Sequence, residues 1–491
     1  MIKKFYDHLA ELKHLGHIRA LLGWDQQVYL PEKGASERAE QLEIISRLIH
    51  QRMTDSKFIG LVDSLAGDIL SFGEEDQVNI RETKKQVDRE RKLPESFVAE
   101  QTRVTAMCWS AWTKARPADD FKSVAPLLAQ VFKLAQEETK LVGFEEHPYD
   151  ALLDMYEPGA KLSQVKPLLM KLGDELSRIA PECAKKTAGI KEVVGDYDQA
   201  IQYKLAQRIL KDIGYDFSAG RLDKTHHPFA TTLGSHDIRV TTRYSREGYL
   251  SSVFTTLHEG GHALYEAGLQ KKWSGTPMGR AVSLGIHESQ SRLWENLIGR
   301  GRPFSKYFHK VLAEFFPEEA KCLTPDDIWN QCNKVEPSLI RVEADEVTYS
   351  LHVLIRLLLE EGIVSGSLGV SDLPGAWRDL YKKYLGIEPK TDRDGVLQDV
   401  HWYGGSLGYF STYALGNIFG AMMMEKIREE IPTLDNQIEQ GQFAPLLHWL
   451  NINIHEHGMR YYSPALIKHA TGRDVSVVPF VSYLKNKFGL I

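Results

Sequence analysis

The sequence predicts a mainly α fold, and three observations carry that expectation. Apolar residues recur at helical spacing through most of the 491 residues; the clearest case is Ser36 to Met53, where Leu42, Ile45, Leu48 and Ile49 alternate with Gln, Glu and Arg. Prolines at 31, 94, 117 and 148 punctuate these segments. The period changes from helix to strand only between His226 and Tyr249. There Pro228 to Leu233, a Gly234-Ser235 turn and Asp237 to Tyr244 read as a β-hairpin, with Ile238, Val240 and Thr242 on one face and Arg239, Thr241 and Arg243 on the other.

Taken in order, Met1 to Leu12 carries Lys3, Lys4 and Asp7 where a signal peptide would need an apolar core, so it reads as an amphipathic helix. Trp24-Asp25-Gln26-Gln27 falls at a helix end and reads as a packing corner. The mixed-charge run Arg81 to Lys92 reads as a solvated helix face, and helices continue to about residue 215. After the hairpin, Ser251 to Leu269 is helical, with Phe254, Leu257 and Leu264 on its apolar stripe and Glu266 on the polar side. Gly260 and Gly261 each cost that helix ~1 kcal/mol relative to Ala, so their adjacency predicts another backbone packed closely against them. Ala281 to Leu297 is a second helical segment, and residues 325 to 365 and 371 to 491 return to helices. No internal repeat or low-complexity linker divides the chain, which is expected to form a single unit over 1–491.

Composition narrows the functional classes. A hydrophobic content of 43% over this length suffices for a large core. The net charge of −6 gives no footprint for nucleic acid or an anionic membrane. Cys108, Cys183, Cys322 and Cys332 form no C-x-x-C, which argues against a thiolate zinc site or a disulfide framework and fits a reducing compartment. No run of ~18 apolar residues occurs; Tyr349 to Val364 is interrupted by His352, Arg356, Glu360 and Glu361. The expected location is the cytoplasm.

The chemistry concentrates at His258-Glu259-Gly260-Gly261-His262. Residues four apart on a helix lie one above the other, so His258 and His262 can offer imidazole nitrogens to one metal ion with Glu259 beside it. Two neutral imidazoles and one carboxylate leave a zinc ion net positive, with an open position for water. A neighbouring carboxylate can take the proton of that water during attack on a carbonyl, and Glu259 is the candidate base. For the third ligand the following helix offers Glu288. Its rivals are His287, about 100° away, and Glu295, on the same face two turns on; Glu288 also has an ion-pair reading with Arg292.

Two later clusters stand out, Ile340-Arg-Val-Glu-Ala-Asp345 and Gly395 to Trp402 followed by Tyr403 to Tyr413. Arg341 and Asp345 form an i,i+4 pair of the kind that stabilises a surface. His401 reads equally as a hydrogen-bonded core histidine and as a site residue. His448, His455 and His457 are too irregularly placed to argue as ligands.

Assembled in order, His227-Pro-Phe229, Asp237-Ile-Arg-Val-Thr241, His258-Glu-Gly-Gly-His262, His287-Glu-Ser-Gln290, Ile340-Arg-Val-Glu-Ala-Asp345 and Gly395-Val-Leu-Gln-Asp-Val-His-Trp402 resemble the motifs of the carboxypeptidase Taq family, peptidase family M32. The likeness covers nearly the whole chain. It implies two helical lobes around a deep central groove with the small β element beside the metal helix, one zinc or cobalt ion (Zn2+ or Co2+) per chain, and a homodimer. It further implies His258, His262 and Glu288 as ligands, Glu259 as general base, and Arg341 and Arg239 as substrate-side residues. Tyr409 is implied as the group stabilising the oxyanion, with Tyr413 second and His401 beside them in the site. Ser411, where proline is expected, and Gln27, where an acidic residue is frequent, depart from the pattern.

The function expected is removal of single residues from peptides with a free C-terminus. An endo-oligopeptidase on the same site is the alternative, because only closure of the groove distinguishes the two. A helical peptide-binding scaffold with structural zinc is the third reading; such a zinc usually takes four protein ligands and needs no base.

Overall fold

The computed structural model describes residues 1–190 and 195–491. Four helices open the chain: α1 (Ile2–Val28), α2 (Ala35–Met53), α3 (Ser56–Gly67) and α4 (Glu74–Lys92). They enclose a small core of their own, centred on Phe5, Leu9, Phe58, Val62, Ile80 and Val87. The remaining helices share a second, much larger core running from Val104 to Phe488. The helical stripe predicted for α2 is only partly used: Ile45 is buried, whereas Leu48 stays 42% exposed. The α4 run read as a solvated face is two-sided. Lys84, Asp88 and Arg91 form surface ion pairs, while Glu82, Thr83 and Val87 turn inward.

In the larger core, α5 (Glu95–Ala118), α6 (Phe121–Val142), α7 (Leu162–Lys186) and α8 (Gln199–Asp212) precede the sheet. The Asp198 side chain caps α8 by accepting from the Ala200 and Ile201 amides. The sheet has three strands, β1 (Leu222–Lys224), β2 (Ala230–Gly234) and β3 (Asp237–Thr242), in the order β1-β3-β2. The predicted hairpin is present as antiparallel β2 and β3, and β1, which pairs parallel to β3, was not foreseen. Three residues, Leu-Asp-Lys, carry no alternation from which to read a strand. Because β3 is central, Thr241 is buried as well as Ile238, Val240 and Thr242.

One face of β3 packs on α9 (Leu250–Gly268), where Thr256 meets Thr242. The other face turns Arg239 toward Trp24 near the end of α1, the packing corner predicted there. Beyond α9 lies α10 (Leu284–Arg292), capped by the Ser283 hydroxyl, which accepts from the Ile286 amide. The predicted continuous helix to Leu297 instead widens into a π-helical turn over Leu293–Gly299. Two more helices, α11 (Tyr349–Ser365) and α12 (Ser411–Glu430), complete the surroundings of the site.

Glycines decide how closely α9, α10 and α12 approach. A Cβ on Gly261 would lie 2.7 Å from the Gln290 carbonyl oxygen, so the neighbouring backbone expected from the glycine pair is that of α10. Gly260 instead faces the side chains of Leu210 and Ile213. Among the described residues, no helix is long and apolar enough to cross a membrane.

Candidate active site

One turn of α9 and one turn of α10 bring three metal-binding side chains together. Ligand atoms of His258, His262 and Glu288 all lie within 4.8 Å of one another. Glu288 Oε2 is 3.8 Å from His258 Nε2 and 3.6 Å from His262 Nε2. Donors ~2.0–2.1 Å from a common tetrahedral ion stand about this far apart, so the donor set fits a zinc-like cation.

The opposite ring nitrogens are already engaged, which fixes how each imidazole faces. His258 Nδ1 is 2.8 Å from Glu295 Oε2, and His262 Nδ1 is 2.6 Å from His287 Nδ1. The chain continues from His287 Nε2 to Glu266 Oε1 at 3.0 Å, and Thr232 of β2 donates to Glu266 Oε2. Holding a ligand imidazole from behind orients it and raises its basicity. Glu295 and His287, the two rivals for the third position, therefore stand behind the imidazoles, and the π turn is what swings Glu295 toward His258. Glu288 also keeps its ion pair, accepting from Arg292 Nε at 2.7 Å on Oε1 while Oε2 faces the histidines.

Charge in this nest is dense. Burial opposes protonation of His258, but Glu288 and Glu295 outweigh it and raise the imidazole to about 9. Burial, with His287 and His258 nearby, holds His262 well below the usual imidazole range. Glu259 is 8% exposed, and burial raises its carboxyl to about 7.

These groups sit in a groove of about 970 Å³ whose lining includes His227, Pro228, Arg243, His258, Glu259, Glu288, Arg341, Tyr349, His401 and Tyr413. Its wall holds a charge imbalance. Arg341 Nε and Nη2 donate to Asp399 Oδ1 at 3.0 and 2.8 Å, and Arg356 Nε donates to Asp399 Oδ2 at 2.7 Å. Two buried guanidiniums thus share one carboxylate, and no second carboxylate lies within ion-pair distance of either among the described residues. Burial works against the Asp399 charge, but Arg341 and Arg356 hold its carboxyl far below the usual range. The Arg341 to Asp345 pairing expected from spacing is replaced by this arrangement; Asp345 instead caps the turn before α11 by accepting from the Val347 and Thr348 amides.

Arg239 departs from expectation. Its fork is filled by Asp237, with both bonds at 2.8 Å, and its guanidinium lies 4.2 Å from the centre of the Trp24 ring. It is absent from the groove lining, because odd-numbered positions of β3 face α1 and not the metal helix. Arg243, at the end of that face, reaches the groove instead.

His401 both packs and faces the groove. Its Nε2 is 3.4 Å from the Tyr413 hydroxyl, its buried Nδ1 has no hydrogen-bond partner, and burial lowers it to about 4. Tyr413 lines the groove under Arg341, and Tyr409 packs its ring 5.3 Å from that of Tyr413. Glu360 of α11 anchors this segment: it accepts from Trp402 Nε1 at 2.6 Å, the Gly408 amide at 2.9 Å and the Tyr149 hydroxyl at 2.5 Å. Sequence reading missed Glu360, Asp399 and Arg356, since hydrogen bonds and ion pairs across 40 or more residues leave no local spacing. His455 is structural, wedged between Gln290 and Asn451.

A family model described as carboxypeptidase Taq (M32) metallopeptidase matches residues 4–488. The chain belongs to this family. It is 40% identical over 99% of its length to thermostable carboxypeptidase 1 of Thermus thermophilus, covering 98% of that protein. Carboxypeptidase 1 of Bacillus subtilis is 37% identical over 99% of the chain and 97% of its own length. The crystal structure of the M32 carboxypeptidase from Deinococcus radiodurans matches with a TM-score of 0.94 at 36% identity, covering 99% of this chain and 98% of that one. As an M32 enzyme the protein is a metallocarboxypeptidase, a hydrolase acting on peptides, and membership implies a divalent metal, for which His258, His262 and Glu288 form the candidate site.

Proposed function

We propose that this M32 enzyme is a zinc-dependent carboxypeptidase that removes single C-terminal residues, with Glu259 as its general base. The observation carrying this reading is the positive charge left over where Arg341 and Arg356 share Asp399 in the groove wall. A free α-carboxylate arriving there supplies the missing anion. Arg341 Nε and Nη2 already donate to Asp399 and Nη1 to the Tyr349 hydroxyl, so the second N–H of each terminal nitrogen is what receives it. An endo-oligopeptidase would have no use for that excess.

His258, His262 and Glu288 would hold the ion, which when bound would supply Lewis-acid polarisation of a carbonyl and a lowered pKa for water. Glu259 accepts the proton of the attacking water and passes it to the departing amine, and it lies beside His258 in the groove lining where that proton must move. Tyr413, or Tyr409 through it, donates to the oxygen that becomes negative. His401, held neutral at pH 7, turns its buried Nδ1 toward Asp399 at 4.0 Å and its Nε2 toward the Tyr413 hydroxyl, and so positions Tyr413 at the groove. A structural-zinc scaffold is disfavoured by a three-donor set with a buried carboxylate beside it.

The test is mass spectrometry of one defined peptide offered as free acid and as C-terminal amide. A ladder of truncations from the free acid and an intact amide are expected. Cleavage of the amide at internal bonds would replace this reading with the endo-oligopeptidase one.

A further inference from the structure

A second cavity, of about 260 Å³, lies where the C-terminal half of α9 meets β2 and α1. It is lined by Lys13 and His17 of α1, Thr232 of β2, Glu266 of α9, and Lys271 and Arg280 from the loop beyond. Two elements run directly from the metal groove into it. The chain entering β2 lines the groove at His227 and Pro228 and the second cavity at Thr232 and Ser235; α9 lines the groove at His258 and Glu259 and the second cavity at Glu266. The α9 residues lining the groove lie at or before Glu259 and the one lining the second cavity is Glu266, so along the helix axis the two lie on either side of His262. Seven helical residues span about 10 Å, the reach of three residues of extended peptide.

The strand reached from the groove lining is β2, an edge strand that pairs with β3 alone among the described residues. An extended peptide can pair along such an edge. The cavity it would reach is cationic. Neither Lys13, Lys271 nor Arg280 has a carboxylate within ion-pair distance among the described residues; the acid inside the cavity, Glu266, is taken by His287 and Thr232, and Asp216 lies in the neighbourhood of Lys271. The Lys13 stem is held in place by Gly275, whose backbone at φ +88° leaves room that a Cβ would fill 2.5 Å from Lys13 Cδ.

We propose that this cavity is a specificity site that selects peptides bearing Asp or Glu three to five residues before the scissile bond. The inference rests on the carboxypeptidase reading and deepens it: Arg341 receives the terminal carboxylate, and Lys13, His17, Lys271 and Arg280 receive upstream acidic side chains.

The experiment compares free-acid heptapeptides that end in the same three residues and carry Asp, Ala or Lys at the three positions further upstream. Rates are expressed relative to an N-acetylated dipeptide with the same end, which is too short to reach the cavity. At low ionic strength the Asp peptide is expected to exceed the Lys peptide in relative kcat/KM by about fivefold or more, falling toward unity at ~0.5 M salt. Lys13→Glu combined with Arg280→Glu reverses the order. Equal relative rates for the three peptides, or a preference untouched by salt and by charge reversal, overturns the inference while the dipeptide is still cleaved. If wild-type enzyme leaves the dipeptide and all free-acid peptides intact, the carboxypeptidase reading itself fails. Should the double variant not fold, the salt titration of wild type and single Lys13→Gln and Arg280→Gln variants give the same decision.

Discussion

Gly416 and Glu288 are in direct contact across the α10 and α12 interface: a Cβ at position 416 would lie 2.7 Å from Glu288 Cγ and 2.9 Å from its Cβ. The position of this carboxylate is therefore set by a missing methyl group on another helix. Gly416→Ala gains up to ~1 kcal/mol of helix propensity in a helix interior, yet it pushes Glu288 away from the two imidazoles. Metal content after gel filtration is expected to fall together with activity, and a variant that keeps full metal would show that the contact relaxes without moving Glu288.

The ligand and its supports separate by how much metal they cost. Glu288→Ala should abolish metal retention and activity. Glu295→Ala and His287→Ala, which remove groups standing behind His258 and His262, should weaken metal affinity by about 10- to 100-fold and leave a site that refills at high metal. Chelator competition on the three variants reads the difference; complete metal loss in Glu295→Ala with retention in Glu288→Ala would exchange their roles.

For Glu259→Gln, metal and peptide binding should persist while kcat drops by at least ~100-fold, the scale of a lost general base. Turnover near the wild-type rate would remove Glu259 from the mechanism.

Arg341→Ala should cost ~2 to 5 kcal/mol of transition-state binding on free-acid peptides, a fall of about 30-fold to several thousand-fold in kcat/KM, with no gain on amides. Arg239→Ala should act mainly on stability, because its guanidinium serves Asp237 and Trp24. Steady-state kinetics of both variants decides, and a selective loss of free-acid preference in Arg239→Ala would move the clamp to the sheet.

Asp399→Asn leaves two buried guanidiniums without a carboxylate and is expected to destabilise the fold by ~3–5 kcal/mol at pH 7. The pH dependence has a definite sign. Because the folded Asp399 carboxyl is held below its unfolded value, its contribution is complete above the unfolded pKa of about 4 and is lost as pH falls toward the folded one. Urea unfolding at pH 7 and in acid should therefore show the gap between wild type and Asp399→Asn narrowing below about pH 4. A constant gap would mean that Asp399 acts through packing alone.

Local periodicity sufficed for the helices, for the β2 and β3 hairpin, and for placing His258, Glu259 and His262 on one helix face, because each depends on residues within one or two turns of one another. The glycine pair at 260 and 261 even announced a close neighbour, though not which one. What periodicity could not reach is whatever joins distant segments. That Glu288, and not Glu295 or His287, faces both imidazoles follows from the contact with Gly416 and from a π turn, neither of which has a sequence period. The sharing of Asp399 by Arg341 and Arg356, and the anchoring of the Trp402 to Tyr413 segment by Glu360, depend on which helices the large core brings together. Arg239 shows the same limit from the other side: alternation placed it correctly on one face of its strand, but only tertiary packing decided that this face meets Trp24 and not the groove. Buried charges find partners wherever the chain returns, and that return is a property of the packed core and not of the neighbouring sequence.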